Sequence, residues 1–244
     1  MEKLSPEELL YYHDGLTCIM VCVWFLISYY GFYSKKEKKI YISYGLIVFA
    51  LSQEIVDYLN RFFFDTNYNL SWQSDLPLQF CHFGFYFSIY LIYIASTQKK
   101  INKKTENFIF DCAYVLGFAG AFQSLLNFDD TGVNNLIGAF TLNWQHSLII
   151  LNILWLIFAY NKKFTLRGVF NAFIFINIII IPVGFINYLL DANYMFICDP
   201  PNVESMFFVE EWPVYLIRLE LIYLIYVLIL LLPFEINKRV KKLF

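Results

Sequence analysis

Seven runs of apolar residues, each close to the roughly 20 residues that a helix needs to cross the hydrocarbon of a bilayer, occupy most of this chain. They fall at residues 15–33, 40–62, 76–97, 108–126, 143–160, 168–190 and 214–233. Apolar runs of spanning length read as transmembrane helices. Of the 244 residues 59% are hydrophobic and only 16% charged, so the segments between the runs are too short to build a soluble domain. The pattern predicts an all-α integral membrane protein, one domain of seven transmembrane helices spanning residues 1–244.

The charges between the runs alternate in sign. Lys35, Lys36, Lys38 and Lys39 follow the first span, Lys99, Lys100, Lys103 and Lys104 the third, Lys162, Lys163 and Arg167 the fifth, and Lys238, Arg239, Lys241 and Lys242 the seventh: fifteen of the chain's eighteen cations. The intervening connections carry Asp65 and Asp75, then Asp129 and Asp130, then Asp191, Asp199, Glu204, Glu210 and Glu211. Short cationic loops stay in the cytoplasm, which predicts an outer N-terminus and a cytoplasmic C-terminus. Trp72, Trp144 and Trp212 then lie at the outer ends of spans, where indole rings settle among headgroups. Glu2, Glu7, Glu8 and Asp14 ahead of the first span are opposite in sign to a cleaved leader, so that span is expected to remain. The lysine runs read as topology and contact with anionic lipid; a nucleic-acid surface needs clustered cations on a folded face, and none is expected. The richness in Lys, Asn, Ile, Phe and Tyr points to an AT-rich genome and a bacterial cytoplasmic membrane.

A charged side chain in the hydrocarbon costs about 2.5–3.5 kcal/mol even on an insertion scale, so each intramembrane polar residue needs a reason. They are Gln53, Glu54 and Asp57 on the second span, Cys81 and His82 on the third, Asp111 on the fourth, Gln145 and His146 on the fifth, Asn177 and Asn187 on the sixth, and Arg218 and Glu220 on the seventh. Counting ~1.5 Å per residue places Glu54, Cys81, His82, His146, Arg218 and Glu220 within roughly 5–10 Å of the outer boundary, which predicts one polar cavity open to the outer leaflet.

The spacing leaves several roles open. Glu54 and Asp57 share a helix face and either serve a ligand or form a structural network in which one carboxylate meets Arg218, with Glu220 completing it. His82 and His146 lack the spacing of a zinc motif, and no metal or cofactor is expected. Cys81 beside a cavity imidazole is a candidate nucleophile, although cysteine also fills membrane helices without any chemistry. The five cysteines show no paired or metal-type spacing. No GxSxG elbow, DHHC run or phosphate loop occurs, and the seventh span has no interior lysine for a retinal Schiff base.

Leu76-Pro77-Leu78-Gln79-Phe80-Cys81 resembles the LPL-x-x-C opening of the third span in the YwaF-like integral membrane proteins, which are related to the animal transmembrane protein 164. The likeness continues at His146, at Asn193-Tyr194-Met195-Phe196 with Pro200 and Pro201, and at Trp212-Pro213-x-Tyr215, in the same order. The resemblance implies a membrane acyltransferase acting on glycerophospholipids, with Cys81 as nucleophile. His146 would then take the thiol proton and Cys81 would carry the acyl group as a thioester. Arg218 would hold a lipid phosphate, Asn193 and Tyr194 would line the mouth, and Glu54, His82 and Glu220 would line the substrate site. Membrane phospholipids are the expected partners. The alternative is a transporter or a small-molecule or lipid-binding membrane protein that uses the same cavity without covalent chemistry, for which Pro182-Val183-Gly184 offers a possible helix break.

Overall fold

The computed structural model describes residues 3–200 and 211–243, with side chains as far as Lys238. Glu2, Pro201, Glu204 and Glu210 lie outside the described residues. Among those described, seven helices are long and apolar enough to cross a membrane and there is no strand. They are α1 (Pro6–Tyr33), α2 (Lys36–Phe64), α3 (Phe80–Thr97), α4 (Lys103–Leu126), α5 (Leu136–Tyr160), α6 (Leu166–Leu190) and α7 (Val214–Leu243).

Most helices start ahead of the apolar run that reveals them, because the caps lie in polar flanks. Ser5 and Glu8 form a reciprocal capping box before α1, with Pro6 in the first turn. Asn102, Asn135 and Thr165 accept from Lys104, Gly138 and Gly168 backbone N–H groups to cap α4, α5 and α6. The third helix does the reverse and begins at Phe80, four residues after Leu76. Pro77 disfavours a helical residue before it, and Leu76 and Gln79 are hydrogen-bonded elsewhere.

The helices group into two compact units, α1 to α5 in one and α6, α7 and the segment Ser71–Gln79 in the other. In the first, α5 is central: 67% of its apolar window is buried, against 6% for α1. Its buried polar residues each face a neighbour. Asn143 donates to Thr17 Oγ1 and the His13 carbonyl on α1, Thr141 donates to Asp57 on α2, and Asn152 donates to Ser88 on α3. The lysine-bearing ends gather. Lys36 donates to Gln98, Lys39 to the carbonyl of Ala159 at the end of α5, and buried Lys162 pairs with Glu106. Burial pushes the Lys162 ammonium below its usual range, and the Glu106 carboxylate opposes that shift. At the opposite, acidic end, Asn135 and Asn134 donate to Asn60 and Asp65.

The second unit is tied by a loop. Tyr194 is buried; its backbone N–H and C=O both pair with the Asn187 side chain, and its hydroxyl donates to the Trp72 carbonyl while accepting from Leu76 N–H. Gln79 accepts from Met195 N–H, Trp212 Nε1 donates to the Ile197 carbonyl, and Tyr215 donates to the Phe196 carbonyl. Helix α6 runs through Pro182 as one element.

Candidate functional site

Two departures from regular α-helix position the site in the first unit. The last turn of α2, Asn60–Phe64, and the segment Gly117–Phe122 within α4 are π-helical, a form that occurs mostly as short insertions and often beside functional residues. In the α4 segment two glycines allow close approach. A methyl on Gly117 would come within 2.4 Å of Ile153 Cδ1 and 2.8 Å of Ile149 Cγ2, both on α5. A methyl on Gly84 of α3 would stand 2.9 Å from the Gly117 backbone nitrogen, and one on Gly120 would stand 3.3 Å from both Cys81 N and Cβ. The Gly117–Phe122 segment is thus wedged between α3 and α5, with Cys81 directly against Gly120.

By register His146 falls at the level of the same turn. Helix α4 runs antiparallel to α5, so one step of three residues from Gly117 toward the acidic end reaches Gly120, and the matching step from Ile149 reaches His146. Helices α3 and α5 run in the same direction, and Ser88 meets Asn152 at an offset of 64 residues. His82 and His146 share that offset. With equal rise per residue they stand at one height.

The His146 ring is held in one tautomer. It is 5% exposed, and its Nδ1 lies 2.9 Å from the carbonyl oxygen of Leu142. A carbonyl only accepts, so Nδ1 carries the hydrogen and Nε2 the lone pair. Among the described residues Nε2 has no hydrogen-bond partner. Cys81 is a free, half-buried thiol whose Sγ lies 3.9 Å from His82 Nδ1, the long end of a sulfur hydrogen bond.

Glu54 completes the cluster. Its Oε1 accepts from Tyr86 on α3 and its Oε2 from Gln145 on α5, each at 2.9 Å. Asp57 is a separate matter: it pairs with Arg61 one turn on, at 2.8 Å, and accepts from Thr141 at 2.7 Å. Both α2 carboxylates have partners inside their own unit. Tyr86 is the member that sequence reading misses, because in a chain with 19 tyrosines nothing local sets it apart. Gly120 is missed as well, since its role exists only through the close approach.

The remaining candidates lie in the second unit. Asn193 and Tyr194 are committed to its loop: Asn193 Oδ1 accepts from Cys198 and Asp199 N–H while its Nδ2 donates to the Asp199 carbonyl. Glu220 on α7 is within hydrogen-bonding reach of Asn177 on α6, and Arg218 is half-buried two residues before it. Among the described residues no three His, Cys, Asp or Glu side chains gather in the manner of a metal site.

Seven helices long and apolar enough to cross a membrane, with partly buried thiol, imidazole and carboxylate groups among the first five, are those of a multi-pass membrane protein. The chain belongs to the TMEM164 family, whose model matches residues 4–231. No curated protein and no solved structure matches it.

Proposed function

We propose that this protein is a glycerophospholipid acyltransferase that works through a thioester on Cys81, near the outer headgroups of a bacterial cytoplasmic membrane. The observation that carries the reading is the Cys81 thiol packed against the Gly120 turn, with the tautomerically fixed His146 at the same level by register. Membership of the TMEM164 family supports it, together with the chemistry that the resemblance to the YwaF-like proteins implies.

In the first half-reaction His146 Nε2 takes the thiol proton as the sulfur attacks the ester carbonyl of a phospholipid. A C–S bond forms, the ester C–O bond breaks, and the leaving lysophospholipid oxygen receives the proton from the imidazolium. In the second, the hydroxyl of another lysophospholipid gives its proton to His146 and attacks the thioester. The C–S bond breaks and the proton returns to sulfur, so neither half needs an oxidant or a cofactor. Glu54, held by Tyr86 and Gln145, fixes the relative placement of α2, α3 and α5 around the sulfur. Arg218 suits a lipid phosphate, whose oxygens match the guanidinium fork.

Intact-protein mass spectrometry after incubation with phospholipid vesicles tests the reading. The expected result is a single acyl adduct that maps to Cys81, is released by hydroxylamine and is absent from Cys81→Ser. Turnover of lipid with Cys81 unmodified and Cys81→Ala still active would overturn it. Solute or lipid binding lost in Glu54→Gln but retained in Cys81→Ala would favour a transporter or binding protein instead.

A further inference from the structure

We propose that Arg61 is the phosphate anchor of the site: its guanidinium holds the headgroup phosphate of the lipid whose ester meets Cys81. The inference rests on the thioester reading and adds to it the residue that recognises the lipid, placed in the unit that contains the nucleophile.

Charge and position single Arg61 out. Fifteen of the eighteen cations stand in the lysine-bearing connections, where topology accounts for them, and the other three are Lys3, Arg61 and Arg218. Arg61 lies at the acidic end of α2, four residues before Asp65, so the sign of its surroundings does not explain it. It falls in the π-helical last turn, Asn60–Phe64, and such turns often carry functional residues.

The guanidinium is held from two sides. Its Nε lies 2.8 Å from Asp57 Oδ2, and Asp57 is itself tied to α5 by Thr141; its Nη1 donates to the Tyr68 hydroxyl at 3.0 Å. The Tyr68 ring also lies 5.0 Å from the guanidinium carbon and packs against Gly132, where a methyl would stand 3.0 Å from the ring and φ is +77°. These contacts orient the planar fork while the Arg61 side chain stays 29% exposed. A guanidinium has five N–H donors in a geometry that matches two phosphate oxygens at once.

Depth matches a phospholipid. Gln145 bonds Glu54 on α2 and, by the 64-residue offset between α3 and α5, shares its level with Cys81. Arg61 is seven residues further along α2 and its side chain reaches back to Asp57, so the guanidinium stands roughly 5–10 Å nearer the acidic end than Cys81. A phospholipid in a leaflet places its phosphate toward the surface and its acyl esters one glycerol deeper, which is the order of Arg61 and Cys81.

The test uses two acyl donors that differ only in the headgroup. Full-length protein in dodecyl maltoside micelles receives phosphatidylcholine or the diacylglycerol with the same chains, and acylation of Cys81 from each is timed by intact-protein mass spectrometry. Hydrogen bonds to a charged group are worth a factor of about 10–100. In Arg61→Gln the ratio of the phosphatidylcholine rate to the diacylglycerol rate should therefore fall about 10–100-fold, in KM more than in kcat. Arg61→Lys keeps the charge but loses the fork; its ratio should fall less, and it carries the test if Arg61→Gln does not fold. An unchanged ratio in the variants, whether both rates drop together or neither does, would overturn the assignment while leaving the thioester intact, as would a fall confined to Arg218→Gln. Wild-type rates that are equal for the two donors and slowed by inorganic phosphate would assign free phosphate to Arg61 and overturn the headgroup role. Wild-type protein alkylated at Cys81 by iodoacetamide but acylated from neither donor would overturn both readings together.

Discussion

At the scale of single residues, a buried imidazole is defined by what holds its other nitrogen. The Leu142 carbonyl fixes His146 with its lone pair on Nε2, whereas His82 meets the neighbouring sulfur only at 3.9 Å. His146→Ala should therefore slow thioester formation by on the order of 10²–10⁴, the usual contribution of a general base, and His82→Ala by less than about tenfold. Stopped-time mass spectrometry measures both, and a larger loss in His82→Ala would exchange their roles. Glu54 depends on two neutral donors. Gln145→Leu leaves one carboxylate oxygen without its partner and should destabilise the fold by about 1–3 kcal/mol. Tyr86→Phe should do the same, as read from thermal unfolding in detergent. Glu54 and His146 are legible in the sequence because a polar residue in an apolar run is conspicuous. Tyr86 is not, because tyrosine is at home at a membrane interface.

At the scale of elements, the crossing of α3, α4 and α5 depends on glycine where backbones touch, as small residues commonly permit between membrane helices. A methyl at Gly84 would meet the backbone of Gly117 at 2.9 Å, and backbone cannot rotate away. Gly84→Ala should cost about 1–3 kcal/mol through overpacking and should reduce Cys81 acylation, since the same crossing carries the nucleophile. Gly45 on α2 has no heavy atom within 4 Å of an added Cβ. Gly45→Ala should therefore be neutral or raise stability by up to about 1 kcal/mol through helix propensity. A comparison of the two melting temperatures checks the pair. The sequence marks Pro182 as a possible break, yet α6 passes through it as a single helix. Near mid-helix, local adjustment can re-satisfy the carbonyl that proline leaves unpaired.

At the scale of the whole molecule, the alternating loops predict orientation. In a cysteine-free background, a single cysteine at Lys163 should resist a membrane-impermeant maleimide applied to intact cells, and one at Asp130 should react; the opposite pattern would invert the topology. The positions of seven helices, their polar ends and the polar residues within them are legible in sequence, because the bilayer acts on each segment in turn through length, hydropathy and charge. Which faces meet is not. Spans that are apolar nearly all round carry little rotational signal, so only packing could set Cys81 against the Gly120 turn, give Asp57 to Arg61, and leave Glu54 to Tyr86 and Gln145. Hydropathy is a property of one segment at a time, whereas a site assembled from four helices exists only once their backbones approach within contact distance.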